Sequence, residues 1–597
     1  MQRERNNLEV LSSQKDLEQF APSYTPEVFT AEEKKYLAPF FSNIDKPVFI
    51  VENLPEEIIG ALSAKYSRAT ESMRRTFLKE YVGPLIHPEA SKNWNNLSET
   101  DKEEEIVNKN NFNNWVNFVN QYGGIETIVN VQRSRGFFEK WLVEFGDDSI
   151  SEMGNIHLCI EGLSNVATKE IEDQRIGISP IEKSSRYVSF ADRLPDGHFR
   201  YIVPGEIKGT PFEQSYRVIM DQLFTTYADL QAPYLEYIKE LYPKGMDETD
   251  ASFEKSRSAK RFDDLRDLLS FATLTNLGLS GNGRAYEYLI NRLTEHPLGE
   301  LRYWAGEISI ELKRVTPSFI RRTETPMGIE IQNYSRGVRN LRDSISRELF
   351  GDRPEKKRDG WVKLINYSPE GEIDVLTAFI FAGKFSPNFG EVRKKVTEMS
   401  DGERNDIYSR IFAQRSLGKF NPGREDVRSK KPPRAFENSK YIFELWARGG
   451  DYRDLHRHRM LTQERQEFTT RYGYDLEKEV LESPFAGKVE TALKMVEPLY
   501  EAMFTEYPDA AQYIATFGHI QHWCVDITAR EMYYEGELRT GPQGRSHYRR
   551  LVQEMARQAV AVHPNLFKGM MIDLSDYSLS RRESEKWTDQ KRKELGV

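Results

Sequence analysis

Thiol chemistry is nearly absent from this chain: its 597 residues include two cysteines, Cys159 and Cys524, set in the apolar contexts IHLCIEGL and HWCVDITA. Two cysteines so far apart exclude a disulfide framework, and their surroundings predict packed free thiols in helix or strand. Long apolar runs are missing as well; none approaches the roughly 18 residues that a spanning helix needs. The N-terminus, MQRERNNLEV, lacks the apolar centre of a secretory signal, so a cytoplasmic location and no membrane partner are expected. Excess positive charge is also lacking. With a net charge of -9, neither a general nucleic-acid coat nor a nucleic-acid partner is expected, although the balance leaves room for local basic patches. There is no G-x-G-x-x-G turn and no H-E-x-x-H helix. The pairs His456-x-His458 and His519-x-x-His522, near Cys524, read as packed or hydrogen-bonded histidines, and no metal is expected.

What remains is a globular composition, 38% hydrophobic and 30% charged, on a chain too long for one ordinary core. Self-similarity divides it. PVFIVENLPEEIIGAL alternates apolar residues (Val48, Ile50), then turns at Pro55-Glu56 into a helical pattern. WVKLINYSPEGEIDVL repeats this with Val362, Leu364, Pro369 and Glu370 at an offset of 314. Proline suits a first helical turn, and a carboxylate suits the positive end of the dipole. A stronger pair follows. Glu152 precedes an apolar stripe of helical spacing (Ile156, Cys159, Ile160, Leu163, Ala167) that leads to Glu182-Lys183-Ser184-Ser185-Arg186-Tyr187. Glu437 precedes Ile442, Leu445 and Trp446, leading to Glu467-Phe468-Thr469-Thr470-Arg471-Tyr472, and these markers are displaced by 285. A third pair, Asn282-Gly283-Arg284 and Thr528-Ala529-Arg530, follows helix-like apolar runs at an offset of 246. The falling offsets put extra length in the first copy, around KELYPKGMDETDASFEKSRSAK.

These markers predict a first copy at 45–345, a linker at 346–360 that includes the charged stretch GDRPEKKRDG, a second copy at 361–590, and a polar N-terminal extension at 1–44. Strand-like starts followed by long helical stretches make the class α+β, helix-rich, with a small mixed sheet in each copy. Aromatic stripes such as Tyr216, Phe224 and Tyr227 read as core.

The segment DLHRHRMLTQERQEFTTRYGY gathers Arg453, His456, Arg457, His458, Arg459, Arg465 and Arg471 within 19 positions. Cations at this density repel one another unless an anion neutralises them, and guanidinium forks match phosphate oxygens. Taken alone, such a run is as readily a solvated, ion-paired helix end. Embedded in a repeat that preserves E-x-[ST]-[ST]-R-Y, it reads as a phosphate cradle of hydroxyls, backbone N–H groups and one arginine.

These residues resemble the flavin-dependent thymidylate synthases, whose signature is R-H-R, a spacer, then S-x-R-Y, about twenty residues beyond a helix-starting glutamate. Arg457-His458-Arg459 and Thr469-Thr470-Arg471-Tyr472 match it, with Glu437 lying 20 residues before Arg457. The spacer is two residues longer, and threonine replaces the loop serine. The first copy keeps Ser184-Ser185-Arg186-Tyr187 but reads Asp173-Gln174-Arg175 where R-H-R belongs. Its GDDSISE resembles the family's G-H-x-S-x-x-E with Asp147 in place of histidine. The family's arginine, N-x-R and L-R sites appear as Arg266, Asn282-Gly283-Arg284 and Leu293 beside Arg292 in the first copy, and as Gln512, Thr528-Ala529-Arg530 and Leu538-Arg539 in the second.

The resemblance implies a tandem two-copy enzyme that methylates dUMP through FAD, with NADPH and methylenetetrahydrofolate as co-substrates and no cysteine nucleophile. It implies catalytic roles for Arg539, Ser184 and Thr469. It implies substrate contacts from Glu182, Ser184, Ser185, Arg186, Arg266, Glu467, Thr469, Thr470, Arg471 and Arg539, and flavin contacts from Arg457, His458, Arg459, Asn282 and Arg175. Family members are tetramers with sites built from several subunits, so a homodimer of this chain would form a pseudo-tetramer. One site type would then combine the second copy's R-H-R on FAD with the first copy's serine loop on dUMP, the reciprocal type being degenerate. The alternative is a non-catalytic flavin- or nucleotide-binding pseudoenzyme that retains the scaffold.

Overall fold

The computed structural model describes residues 14–597 apart from 92, 125–130, 139, 141, 143–147, 353–355, 357, 417–428, 578 and 596–597. Asp147 and part of the expected linker fall outside the described residues.

The architecture is α+β and helix-rich, and the described residues form two four-stranded sheets that are antiparallel throughout, where mixed sheets were expected. The first contains β1 (Val48–Val51), β2 (Asn155–Ser164), β3 (Ile178–Glu182) and β4 (Leu274–Asn282), in the order β1-β2-β4-β3. The second contains β5 (Val362–Tyr367), β6 (Lys440–Arg448), β7 (Thr462–Arg465) and β8 (Ile520–Thr528), in the order β5-β6-β8-β7. The repeat is therefore structural. Asn155 of β2 pairs with Asn282 of β4, and Lys440 of β6 pairs with Thr528 of β8, at the offsets of 285 and 246 seen in the sequence. After β1 the chain enters the helix Glu56–Tyr66 at Pro55, and after β5 it enters Gly371–Phe381 at Glu370, as the proline-glutamate turns predict.

Several runs expected to be helical are strands. The stripe from Ile156 to Leu163 lies in β2 and only Ala167 is helical, in Asn165–Glu172. Residues 442–446 lie in β6, and the runs before Asn282 and Thr528 are β4 and β8. Glu152 and Glu437 sit in short 3₁₀ turns ahead of the strands instead of starting helices. The cause is burial on both faces, which removes the period-two signal and leaves an apolar run that periodicity cannot distinguish from a helix. In β2 a bulge between Glu161 and Leu163, with Gly162 at φ +82°, breaks the alternation further.

By contact the chain forms two compact units. Unit 1 comprises Met1–Met220, Phe271–Pro354 and Met503–Tyr513; unit 2 comprises Asp221–Ser270, Glu355–Ala502 and Ile514–Val597. Each unit holds one sheet together with a segment from the other copy's sequence. The extra length of the first copy, including the helix Asp250–Leu265, belongs to unit 2. The N-terminal segment, expected to be polar, supplies Phe29, Tyr36, Phe40 and Phe41 to an aromatic core with Phe49, Tyr66 and Phe77 in unit 1. Tyr216, Phe224 and Tyr227 are core residues, as expected. Cys159 is buried and Cys524 half-buried, both as free thiols. The helix Pro326–Phe350 runs through the first residues of the segment expected to be linker. No helix among the described residues is long and apolar enough to cross a membrane.

Candidate functional site

The repeat markers make the same contacts twice. Arg284 Nη1 donates to Glu152 at 2.6 Å in unit 1, and Arg530 Nη1 to Glu437 at 2.7 Å in unit 2. Asn282 accepts from Ala285 N at 2.9 Å and Thr528 from Glu531 N at 3.3 Å, so each caps the helix that follows its sheet's third strand in spatial order. The first residue of N-x-R is thus an N-cap, a job threonine does nearly as well as asparagine, and the oxygen of Asn282 is committed to it.

Unit 2 brings together the R-H-R segment and Arg539. The short helix Gly449–Leu455 delivers Arg457 and Arg459 to the surface while His458 points inward and is buried. His458 Nε2 accepts from Arg539 Nε at 2.8 Å, which places the ring proton on Nδ1, 3.2 Å from Glu531 Oε1. Glu531, Glu535 and Arg539 recur every four residues on the helix Ala529–Arg539, hence on one face. Glu535 is fully buried with Oε2 unpartnered. Burial raises its pKa, and Glu531 adds to it. Sequence reasoning missed both glutamates, although their four-residue spacing from Arg539 was legible.

Arg266 is also in unit 2. Its Nη2 donates to Asp454 at 2.8 Å and to the Gly450 carbonyl at 3.1 Å, and its Nε has no partner. An arginine from the first copy's sequence therefore holds the helix that presents R-H-R. Gln512, at the matching position of the second copy, belongs to unit 1.

The two hydroxyl loops share one backbone turn. Arg186 N donates to Ser184 Oγ at 3.3 Å, and Arg471 N to Thr469 Oγ1 at 3.2 Å, the turn that short hydroxyl side chains favour. Their surroundings differ. In unit 1 Ser184 is half-buried and Ser185 buried. Glu182 meets the fully buried Lys169 at 2.9 Å, and Lys169 also meets Glu172. In unit 2 Thr469 and Thr470 are buried, and Gln521 clamps both backbone polar groups of Thr469 at 3.0 Å. Arg471 grips Glu501 bidentately, at 2.6 and 3.0 Å. Glu182 stands opposite Leu277, and the equivalent place opposite Trp523 is taken by Arg465. Glu467 therefore falls two residues beyond its strand, exposed. Arg175, the surviving basic residue of the degenerate motif, is half-buried at φ +51°, its N–H donating to Glu172 O.

A buried ionic network in unit 2 was not read from the sequence. Arg448 bonds Asp267 (3.2 Å), Asp451 (3.1 Å) and Glu477 (2.8 Å), and Arg545 bonds Asp267 (2.6 Å) and Glu477 (3.0 Å). Asp267 sits beside Arg266, and Tyr513 occupies the corresponding place in the second copy. In unit 1 Tyr513 donates to buried Glu300 at 2.7 Å, which also accepts from Ser164 and Trp304.

His547 lies 2.7 Å from Asp451 and 3.2 Å from Asp475. Burial and Arg448 push its pKa down, the two carboxylates outweigh them, and the net shift is upward from 6.5. A raised folded pKa favours the protonated fold. That contribution is complete below about pH 6.5 and is lost as pH rises through the folded value. The stability gap between wild type and His547→Gln should therefore shrink between about pH 6 and about pH 9 in urea unfolding; a gap constant over that range would contradict the assignment.

Among the described residues, no group of three His, Cys, Asp or Glu side chains is placed to hold a metal. A model of the thymidylate synthase complementing protein family matches residues 96–318, which hold β2, β3 and β4, and residues 364–565, which run from within β5 through β8. A UPF0159 protein of Chlamydia muridarum is 32% identical over 564 residues, spanning 93% of this chain and 98% of its own length. Another, from Thermoplasma acidophilum, is 31% identical over 482 residues, spanning 76% of this chain and 92% of its own. The structure of a UMP/dUMP methylase, PolB from Streptomyces cacaoi bound with 5-Br dUMP, aligns with 35% of this chain and 93% of its own at 12% identity and a TM-score of 0.26, too loose a superposition to bear on the site.

Proposed function

Because the chain belongs to the thymidylate synthase complementing protein family, in tandem two-copy form, we propose that it is a flavin-dependent thymidylate synthase. It would convert dUMP to dTMP with methylenetetrahydrofolate as carbon donor and NADPH as reductant, through FAD. The observation that carries this reading is the 2.8 Å contact of Arg539 with His458, between the exposed Arg457 and Arg459.

The residues present suit a flavin dinucleotide. Two exposed guanidiniums flank a buried imidazole, and such forks match diphosphate oxygens. Arg457, His458 and Arg459 would hold FAD, which when bound supplies the redox chemistry. Glu531 fixes the tautomer of His458, and His458 in turn aims Arg539. Arg539 would stabilise negative charge on the pyrimidine. The loops Ser184–Arg186 and Thr469–Arg471 supply hydroxyl and N–H donors suited to the nucleotide phosphate.

One observation favours a second reading, a pseudoenzyme that keeps the scaffold. Arg471 is closed on Glu501 and Arg266 on Asp454, so carboxylates of the protein occupy two of the expected anion-binding arginines. An absorbance spectrum of the purified chain, then anaerobic reduction with NADPH followed by titration with dUMP and methylenetetrahydrofolate, separates the two. The enzyme reading expects bound flavin and dTMP formation, lowered by Arg457→Ala and by Ser184→Ala. Colourless protein, or flavin without any dUMP-dependent oxidation, would establish the pseudoenzyme.

A further inference from the structure

The helix Pro326–Phe350 lies outside both segments matched to the family. It is fastened along one side only. Gln332 donates to Asn291 and to the Thr323 carbonyl, Arg336 pairs with Glu295, and Arg339 donates to the Glu295 carbonyl. From position 340 to its end at Phe350 every residue of the helix is exposed. Away from the fastened side runs a continuous apolar stripe of Met327, Ile331, Tyr334, Val338, Leu341 and Ile345, all exposed, with Leu349 extending it.

The spacing of the stripe alternates four and three residues, a period of 3.5 instead of 3.6, which is the mark of a seam that follows another helix. Written as heptads, Ile331, Val338 and Ile345 fall at position a, and Met327, Tyr334 and Leu341 at d. The β-branched residues at a favour two parallel strands, and Leu341 is the one leucine among the three d positions. In a parallel pair, the flanking contacts would set Glu330 against Ser335 and Gly337 against Arg342, with no like charges opposed, and the seam would end at Ile345, because the next d position is Glu348. An exposed apolar stripe of this length is unusual for a chain that stays single. Six such side chains, each about half exposed, would bury on the order of 1,200 Å² across two copies, at the lower end of the ~1,200–2,000 Å² of stable interfaces.

We propose that this helix pairs with its counterpart in a second copy of the chain, parallel and in register. The test is the mass of the full chain in solution, by light scattering after size-exclusion chromatography. Wild type is expected at twice the 69.5 kDa chain mass. Leu341→Glu/Ile345→Glu is expected at the single-chain mass with an unchanged circular dichroism spectrum, because both side chains are solvent-facing. In addition, Val338→Cys should form a disulfide-linked dimer under mild oxidation, and the native chain should not, because position a brings the two copies of one residue together. A single-chain mass for wild type, or a double-glutamate variant that stays dimeric, would overturn the proposal. So would a dimer in which Cys introduced at 338 fails to cross-link.

Discussion

Arg539→Ala is expected to lower single-turnover dTMP formation by about 10²–10³-fold, the cost of removing one preorganised donor from developing negative charge, while bound flavin stays near its wild-type level. The argument rests on how the guanidinium is held. Its Nε–H is committed to a buried imidazole at 2.8 Å, and that imidazole is oriented by Glu531 at 3.2 Å. The fork therefore meets a substrate already aimed, with little ordering left to do at the moment of reaction. Arg539→Lys keeps the charge but replaces a planar fork with a flexible ammonium, so it should recover little of the loss. His458→Ala should fall between wild type and Arg539→Ala, because it frees the arginine without removing it. The measurement pairs flavin content from the visible spectrum with the rate of dTMP formation from pre-reduced protein. A rate within about twofold of wild type for Arg539→Ala, far short of the loss of one such donor, would remove this residue from the pyrimidine site.

How much of this was legible in the sequence depends on whether the signal was local. The repeat was, and the offsets of 285 and 246 reappear as strand register in the two sheets. His458 and Arg539, which the resemblance assigns to the flavin and to the pyrimidine, lie 2.8 Å apart. Secondary structure type was less legible in the buried strands. Cys159, Ile160 and Leu163 pack on both faces of β2 across a bulge, and apolar residues then recur at helix-like intervals. The role of Asn282 as a cap could have been read from its place before a helical run, since asparagine and threonine interchange there. What no local pattern carried is the exchange of segments between copies. Arg266 and Asp267 read as part of the first copy but belong to unit 2, whereas Gln512 and Tyr513 read as part of the second but belong to unit 1. The partners of such residues lie more than 180 positions away, and nothing in their neighbours' composition names them.

That exchange makes Asp267 the position where a single substitution should cost most. Its carboxylate is fully buried and faces two guanidiniums, Arg448 at 3.2 Å and Arg545 at 2.6 Å. Removing one member of a buried charge group leaves the others uncompensated, at a cost of about 3–5 kcal/mol. Asp267→Ala is therefore expected to loosen unit 2. Hydrogen exchange should show lost protection in β6 and β8, with β1–β4 keeping theirs. Adding Arg545→Met to Asp267→Ala removes one of the stranded cations and should recover part of the loss, a non-additivity that contacting charges show. In unit 1 the corresponding change, Tyr513→Phe, deletes one neutral donor to Glu300 and should cost only about 1–3 kcal/mol. The contrast isolates charge from position, because Asp267 and Tyr513 hold equivalent places in the repeat and both are buried. Equal losses at the two positions, or equal loss of protection in both sheets after Asp267→Ala, would mean that the segment matters for its packing and that the ionic network adds little.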